Sequence, residues 1–194
     1  ILPLFERSVS ESLERLRLPN VNLFFLHNMM VPNDRTERYD GTPRSLFVDA
    51  VVPAFERLIA SGRIKAWGIS ALGVPASVIE TFADNPPPTA VQAVANLLDP
   101  LDERREPPKP GPLDIIAAAK RSGVAVMGIR AVQAGPLTDS FDRSMHDQPR
   151  FSADYLRAGP FRVLARKIGE SPASLAHRYS LSMDGVSTVV LGVK

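Results

Sequence analysis

Five short apolar runs, most of them parted by a helical pattern, constrain this chain more than any other feature. They are Val21–Leu26, Ile64–Ile69, Thr89–Val94, Val124–Ile129 and Ser187–Leu191. A strand apolar along its whole length is covered on both faces, so it belongs to a parallel sheet with crossover helices. Between the strands the helical period recurs. Phe5, Val9, Leu13 and Leu16 mark a helix over residues 4–17, stopped by Pro19 and Asn20. Ser45 is placed to cap a helix through Phe47, Val51, Ala54, Phe55, Leu58 and Ile59, ended by Gly62. Pro53 falls inside it and predicts a kink or a late start. Further helices are expected over Pro75–Phe82, Leu113–Ser122, Phe161–Ile168 and Pro172–Met183, the last opening on Ser171-Pro172. Residues 28–43, 97–112 and 131–157 read as loops or irregular segments.

An open doubly wound sheet and a closed eight-stranded barrel both fit this alternation. No G-x-G-x-x-G follows any strand, and no G-x-x-x-x-G-K-[ST] occurs. In a barrel, groups at the C-terminal ends of strands face the active-site mouth, and His27 stands at such an end.

Composition closes off other classes. The chain has 194 residues, 44% of them apolar, enough for one core, and one domain is expected over residues 1–194. Without cysteine there are no disulfides and no thiolate chemistry, as befits a cytoplasmic protein. The net charge of +2 is spread along the chain and forms no nucleic-acid stripe. No apolar run reaches membrane-spanning length, and Ile1–Arg7 lacks the pattern of a signal peptide. The chain opens on Ile1 with no initiator methionine, which reads as a start inside a longer gene product. No Cys/His/carboxylate spacing points to a metal site. Asp102–Glu106 is a mixed charge run of the solvent-facing kind, and His146 and His177 read as solvated.

Several segments resemble the aldo-keto reductases. Ser10–Leu16 followed by Val21–His27 is similar to that family's helix–strand–histidine segment. Ala54–Ser70 resembles its next helix and strand, and Val91–Leu98 its glutamine-x-x-x-asparagine strand. Gly123–Ile129 with Ala134–Thr138 resembles the following strand and its glycine-leucine-threonine loop. Ser171–Ala176 and Val186–Gly192 resemble the last helix and strand. These segments keep the family's order across nearly the whole chain.

The resemblance implies a (β/α)8 TIM barrel of which this chain holds five of eight strands, about the fourth to the eighth, with the N-terminal part missing. A full barrel takes about 250 residues. It also implies an oxidoreductase that uses NADP(H) to reduce a small-molecule carbonyl, an aldehyde or a ketone. The family's catalytic aspartate, tyrosine and lysine have no equivalent here, and Tyr39, Tyr155 and Tyr179 stand in the wrong places. The chain alone is therefore expected to be inactive, the alternative being a catalytically dead barrel fragment that serves as a binding or assembly module.

By the same resemblance His27 orients the substrate carbonyl, since an imidazole N–H can donate to a carbonyl oxygen. Gln92 and Ser70 hold the nicotinamide carboxamide. Ala71 departs from the asparagine usual beside that serine, and Ile129 from a common aromatic. Arg130, where serine is common, offers a phosphate ligand. Gly135, Leu137 and Thr138 resemble the loop that folds over the pyrophosphate, and Lys194 stands near the adenosine 2′-phosphate position. Asn96 reads as a turn cap. Five strands without their partners leave two open edges, which predicts a homo-oligomer.

Overall fold

The computed structural model describes residues 1–34, 41–98, 110–139 and 149–192. Contacts within the chain divide it into two compact units, residues 1–91 with 121–124, and residues 92–120 with 125–194.

The first unit opens with helix α1 (Leu2–Leu16) and strand β1 (Val21–Leu26). Val9 and Leu13 are buried as the periodicity predicts, but Leu16 is exposed. The next residue, Arg17, turns into the left-handed region and ends the helix. After β1 come two short strands, β2 (Met29–Val31) and β3 (Thr42–Pro43). Both fall in the span 28–43 expected to be a loop, and two or three residues are too few to show a period.

A helical turn, α2 (Arg44–Leu46), leads through a π-helical segment (Phe47–Val51) into α3 (Val52–Ala60). Ser45 is not the cap. Its N–H, near the helix start, is held instead by Asn33 Oδ1 at 2.8 Å, so a side chain from the preceding loop does the capping. The π segment is what Pro53 imposes. Proline has no N–H to give and its ring crowds the carbonyl four residues back, so the helix widens just before it.

Strands β4 (Ile64–Ser70) and β5 (Leu72–Gly73) follow, then α4 (Pro75–Glu80), a 3-10 turn (Thr81–Ala83) and the start of β6 (Ala90–Val94). Strand β1 pairs in parallel with β4, which in turn neighbours β6. A second, small parallel sheet has the order β3-β2-β5. The core of this unit is aromatic. Trp67 of β4 stacks on Phe55 of α3 with centroids 5.1 Å apart, Phe47 meets its edge, and Phe5 of α1 closes on Phe55 at 4.9 Å. Trp67 Nε1 donates to Glu56 at 3.1 Å, so the indole is buried without losing its polar partner.

The second unit takes the rest of β6, α5 (Pro112–Arg121), β7 (Ala125–Ile129), α6 (Pro149–Arg157), α7 (Gly159–Lys167), α8 (Pro172–Ser182) and β8 (Val186–Val189). Strand β6 neighbours β7, which pairs in parallel with β8. Helix α6 corrects the expectation of irregular structure over 131–157. Ser180 of α8 is fully buried and donates to the carbonyl of Ala95 at 2.5 Å, tying helix to strand end.

The expected parallel sheet of an α/β fold is thus present, in the order β1-β4-β6-β7-β8, and among the described residues β1 and β8 are its edges. Most strands match the expected runs within a residue or two. The charge run at 102–106, His146 and Tyr39 lie outside the described residues. His177 is not fully solvated: its ring is half-buried, with Nδ1 2.7 Å from the Ala173 carbonyl. Among the described residues, no helix is long and apolar enough to cross a membrane. No group of three His, Asp or Glu there could hold a metal ion.

Candidate functional site

In the first unit the two strand ends that carry His27 and Ser70 are held level. Leu26 pairs with Ile69 at the end of the large sheet, and Met29 pairs with Leu72 where the small sheet begins. The offset between the strands is the same in both ladders. His27 therefore stands opposite Ser70, and Asn28 opposite Ala71, in the gap between the two sheets. His27 is exposed, whereas Ser70 is buried.

The face on which they lie follows from the pleat. Trp67 and Ile69 are buried, and Trp67 points toward α3. Phe25 and Gly68 share the opposite face, since a Cβ on Gly68 would come within 2.6 Å of the Phe25 ring. His27 and Ser70 are two residues further along their strands, on that same face. Asn28 was not anticipated. Its Nδ2 donates to Thr42 Oγ1 at 3.1 Å and its Oδ1 accepts the N–H of Met29 at 2.8 Å. It thereby fixes the turn that carries His27 out of β1. An asparagine directly after a strand is the available sequence signal.

In the second unit Gln92, Val94, Met127 and Ile129 are half-buried, while Ala93, Ala95, Val126 and Gly128 alternate with them and are buried. One face of each strand is thus packed and the other is open. Gln92 lies on the open face, where its Nε2 donates weakly to Met127 Sδ at 3.7 Å. Arg130, exposed, follows directly on β7.

Beyond it the chain turns tightly. Arg130, Gln133 and Ala134 have φ of 57°, 50° and 59°, and Gly135 has φ of 125°. Three non-glycine residues in the left-handed region each cost about 1–2 kcal/mol. Such a turn persists only where its surroundings hold it. Gly135 and Thr138 belong to the same turn, Thr138 Oγ1 donating to the Gly135 carbonyl at 2.7 Å. Leu137 is fully buried, in a cluster with Leu98, Ala158 and Ala176. Its side chain is core, and its N–H donates to the Val132 carbonyl at 3.3 Å.

What holds the turn is a closed ring of hydrogen bonds. Asn96 Nδ2 donates to Gln133 Oε1 at 3.1 Å, and Gln133 Nε2 donates to Asp154 Oδ2 at 3.1 Å. Arg157 donates to Asp154 Oδ1 and to the Leu98 carbonyl, each at 3.0 Å. The Leu98 N–H returns to Asn96 Oδ1 at 2.8 Å, the turn cap expected of Asn96. Asn96, Gln133 and Asp154 are at most 5% exposed. A second clamp is Arg162, also buried, which donates to the carbonyls of Pro136 and Tyr155 at 2.7 Å and lies 3.6 Å over the Tyr155 ring. Gln133, Asp154, Arg157 and Arg162 were missed in the sequence. The usable signals were a lone glutamine before Ala-Gly-Pro and an Asp–Arg pair three apart on a helix. Lys194 lies outside the described residues.

The family model described as "Aldo/keto reductase family" matches residues 5–194, and the chain belongs to that family. It is 23% identical over 190 residues to an L-galactose dehydrogenase of Arabidopsis thaliana, covering 96% of this chain and 53% of that protein. Among solved structures it is similar to a glycerol dehydrogenase from Gluconobacter oxydans, with a TM-score of 0.66 and 23% identity over 97% of this chain and 54% of the other. The chain spans about half the length of these relatives.

Proposed function

We propose that this chain carries the cofactor-binding and carbonyl-orienting part of an NADP(H)-dependent oxidoreductase that acts on small-molecule aldehydes or ketones. The observation that carries the reading is Gln92: a half-buried primary amide on the open face of an otherwise apolar strand, with the tight turn of Arg130 to Thr138 after the next strand. A primary amide on that strand face can exchange one donor and one acceptor with a nicotinamide carboxamide.

Gln92 and Arg130 fit the group: in the second unit Gln92 would take the carboxamide and Arg130 a phosphate. Gly135 and Leu137, assigned to the pyrophosphate by resemblance, do not offer it free main-chain donors, since their N–H groups already donate to the Val132 carbonyl at 2.9 and 3.3 Å. In the first unit His27 would donate to the substrate carbonyl oxygen, with Ser70 opposite it as an amide ligand by the family resemblance. Lys194 is assigned to the adenosine 2′-phosphate. Bound reduced nicotinamide supplies a hydride. His27 contributes orientation of the substrate carbonyl.

Gln92→Leu keeps the size and removes both polar atoms. It is expected to weaken NADPH binding about tenfold, the worth of one well-made hydrogen bond near 1.4 kcal/mol. Titration of the protein against cofactor fluorescence measures it. An unchanged dissociation constant would remove Gln92 from the site.

A further inference from the structure

We propose that Gln133 and Asp154 are positioning residues for the dinucleotide phosphates, acting through Arg130. The proposal rests on the reading of Arg130 as a phosphate ligand. The turn itself does not need a glutamine. With φ of 50° at this position, glycine would reverse the chain with less strain. What glutamine adds is an amide used at both ends, Oε1 on Asn96 and Nε2 on Asp154, each at 3.1 Å.

Those two bonds fix the rotation of the side chain and hence the place of its Cα. The N–H of Gln133 in turn donates to the carbonyl of Arg130 at 2.7 Å. Gln133 is buried to 1% and Arg130 is exposed, so one hydrogen-bonded turn joins an anchored corner to a charged corner open to solvent. Asp154 is held in its turn by Arg157, which also reaches the Leu98 carbonyl. The ring closes on itself, and Arg130 stands one turn outside it.

A positioned guanidinium loses less freedom on binding a phosphate than one on a loose loop. Breaking the ring should therefore weaken the dinucleotide's binding through Arg130 and leave the chemistry of a saturated enzyme alone.

The test is a double-mutant cycle on NADPH binding, read by cofactor fluorescence in the intact protein. Gln133→Gly removes the amide and accepts the backbone; Gln133→Met, of similar length and apolar, serves if the glycine variant fails to fold. Each is expected to raise the dissociation constant about tenfold. Arg130→Gln is expected to do at least as much. The double variant Arg130→Gln, Gln133→Gly should bind no more weakly than Arg130→Gln alone, because Gln133 acts only through Arg130. The number of binding sites per protein and the circular dichroism spectrum should stay unchanged while the dissociation constant rises.

A purely structural glutamine would instead reduce the folded fraction, and with it the number of binding sites, without moving the dissociation constant of the folded protein. That outcome, an additive cycle, or an unchanged dissociation constant in the Gln133 variants would overturn the proposal and leave the reading of the site intact. Failure of the unaltered protein to bind NADPH would overturn both.

Discussion

Phe55→Ala is expected to destabilise the protein by about 3–5 kcal/mol, the range for emptying a buried aromatic site. Phe55 has no exposed surface. It is sandwiched between Phe5 of α1, 4.9 Å away, and Trp67 of β4, 5.1 Å away and parallel to within 2°. Three elements meet on this one ring, so its loss leaves a cavity that no single side chain can refill. Trp67 would keep its bond to Glu56 yet lose its stacking face. The corresponding fall in melting temperature is roughly 6–20 °C for a domain of this size. Thermal unfolding followed by circular dichroism reads it, and a shift below about 2 °C would mean that this cluster is not the core of the first unit.

Gly68→Val should be of similar size for the opposite reason. A Cβ at Gly68 would sit 2.6 Å from the Ala90 carbonyl oxygen and 2.6 Å from the Phe25 ring. The first contact is with backbone of the neighbouring strand, which cannot rotate away as a side chain could. Valine adds two methyls to a space that will not take one, so a loss of about 3 kcal/mol or more is expected, at the top of the range for overpacking. Gly68→Ala tests the geometry more gently and should still destabilise. If alanine is tolerated with no change in the denaturant midpoint, Phe25 and Ala90 do not crowd that face as described.

Both substitutions fall where the sequence was most readable. Strand β4 and the helix before it are apolar in the right rhythm: Phe55 and Leu58 lie on the helical spacing, and Trp67 falls inside the apolar run Ile64–Ile69. The resemblance carried by Ala54–Ser70 placed them in order. Pro53 announced an irregularity, and the π segment is its form. The short strands β2, β3 and β5 carry too few residues for a period to exist, and their pairing is decided by what lies beside them.

The site divides in the same way. His27 and Ser70 end continuous apolar strands, so their positions followed from the strand boundaries. The level pairing of the two did not, because register comes from tertiary contact. Gln92 was visible as a polar residue in an apolar strand. The ring of Asn96, Gln133, Asp154 and Arg157 was not, since its members come from three segments spread over residues 96–157 and no period links them. Helix α6 was missed for the same cause: its nine residues include Arg150, Ser152, Asp154 and Arg157, and Asp154 is buried by hydrogen bonding rather than by apolarity. Leu137 shows a subtler limit. It matches a loop that resembles a cofactor-binding segment, yet its side chain is fully buried.

The proposed function requires that the sheet face carrying Gln92 and the turn after β7 bind a nicotinamide dinucleotide. The most direct measurement is a titration of the purified protein with NADPH and, separately, NADH, followed through cofactor fluorescence. Circular dichroism would be recorded on the same sample to show that it is folded. Saturable binding of at least one of the two nicotinamide dinucleotides is expected, with one site per chain. A folded protein that binds neither would contradict it.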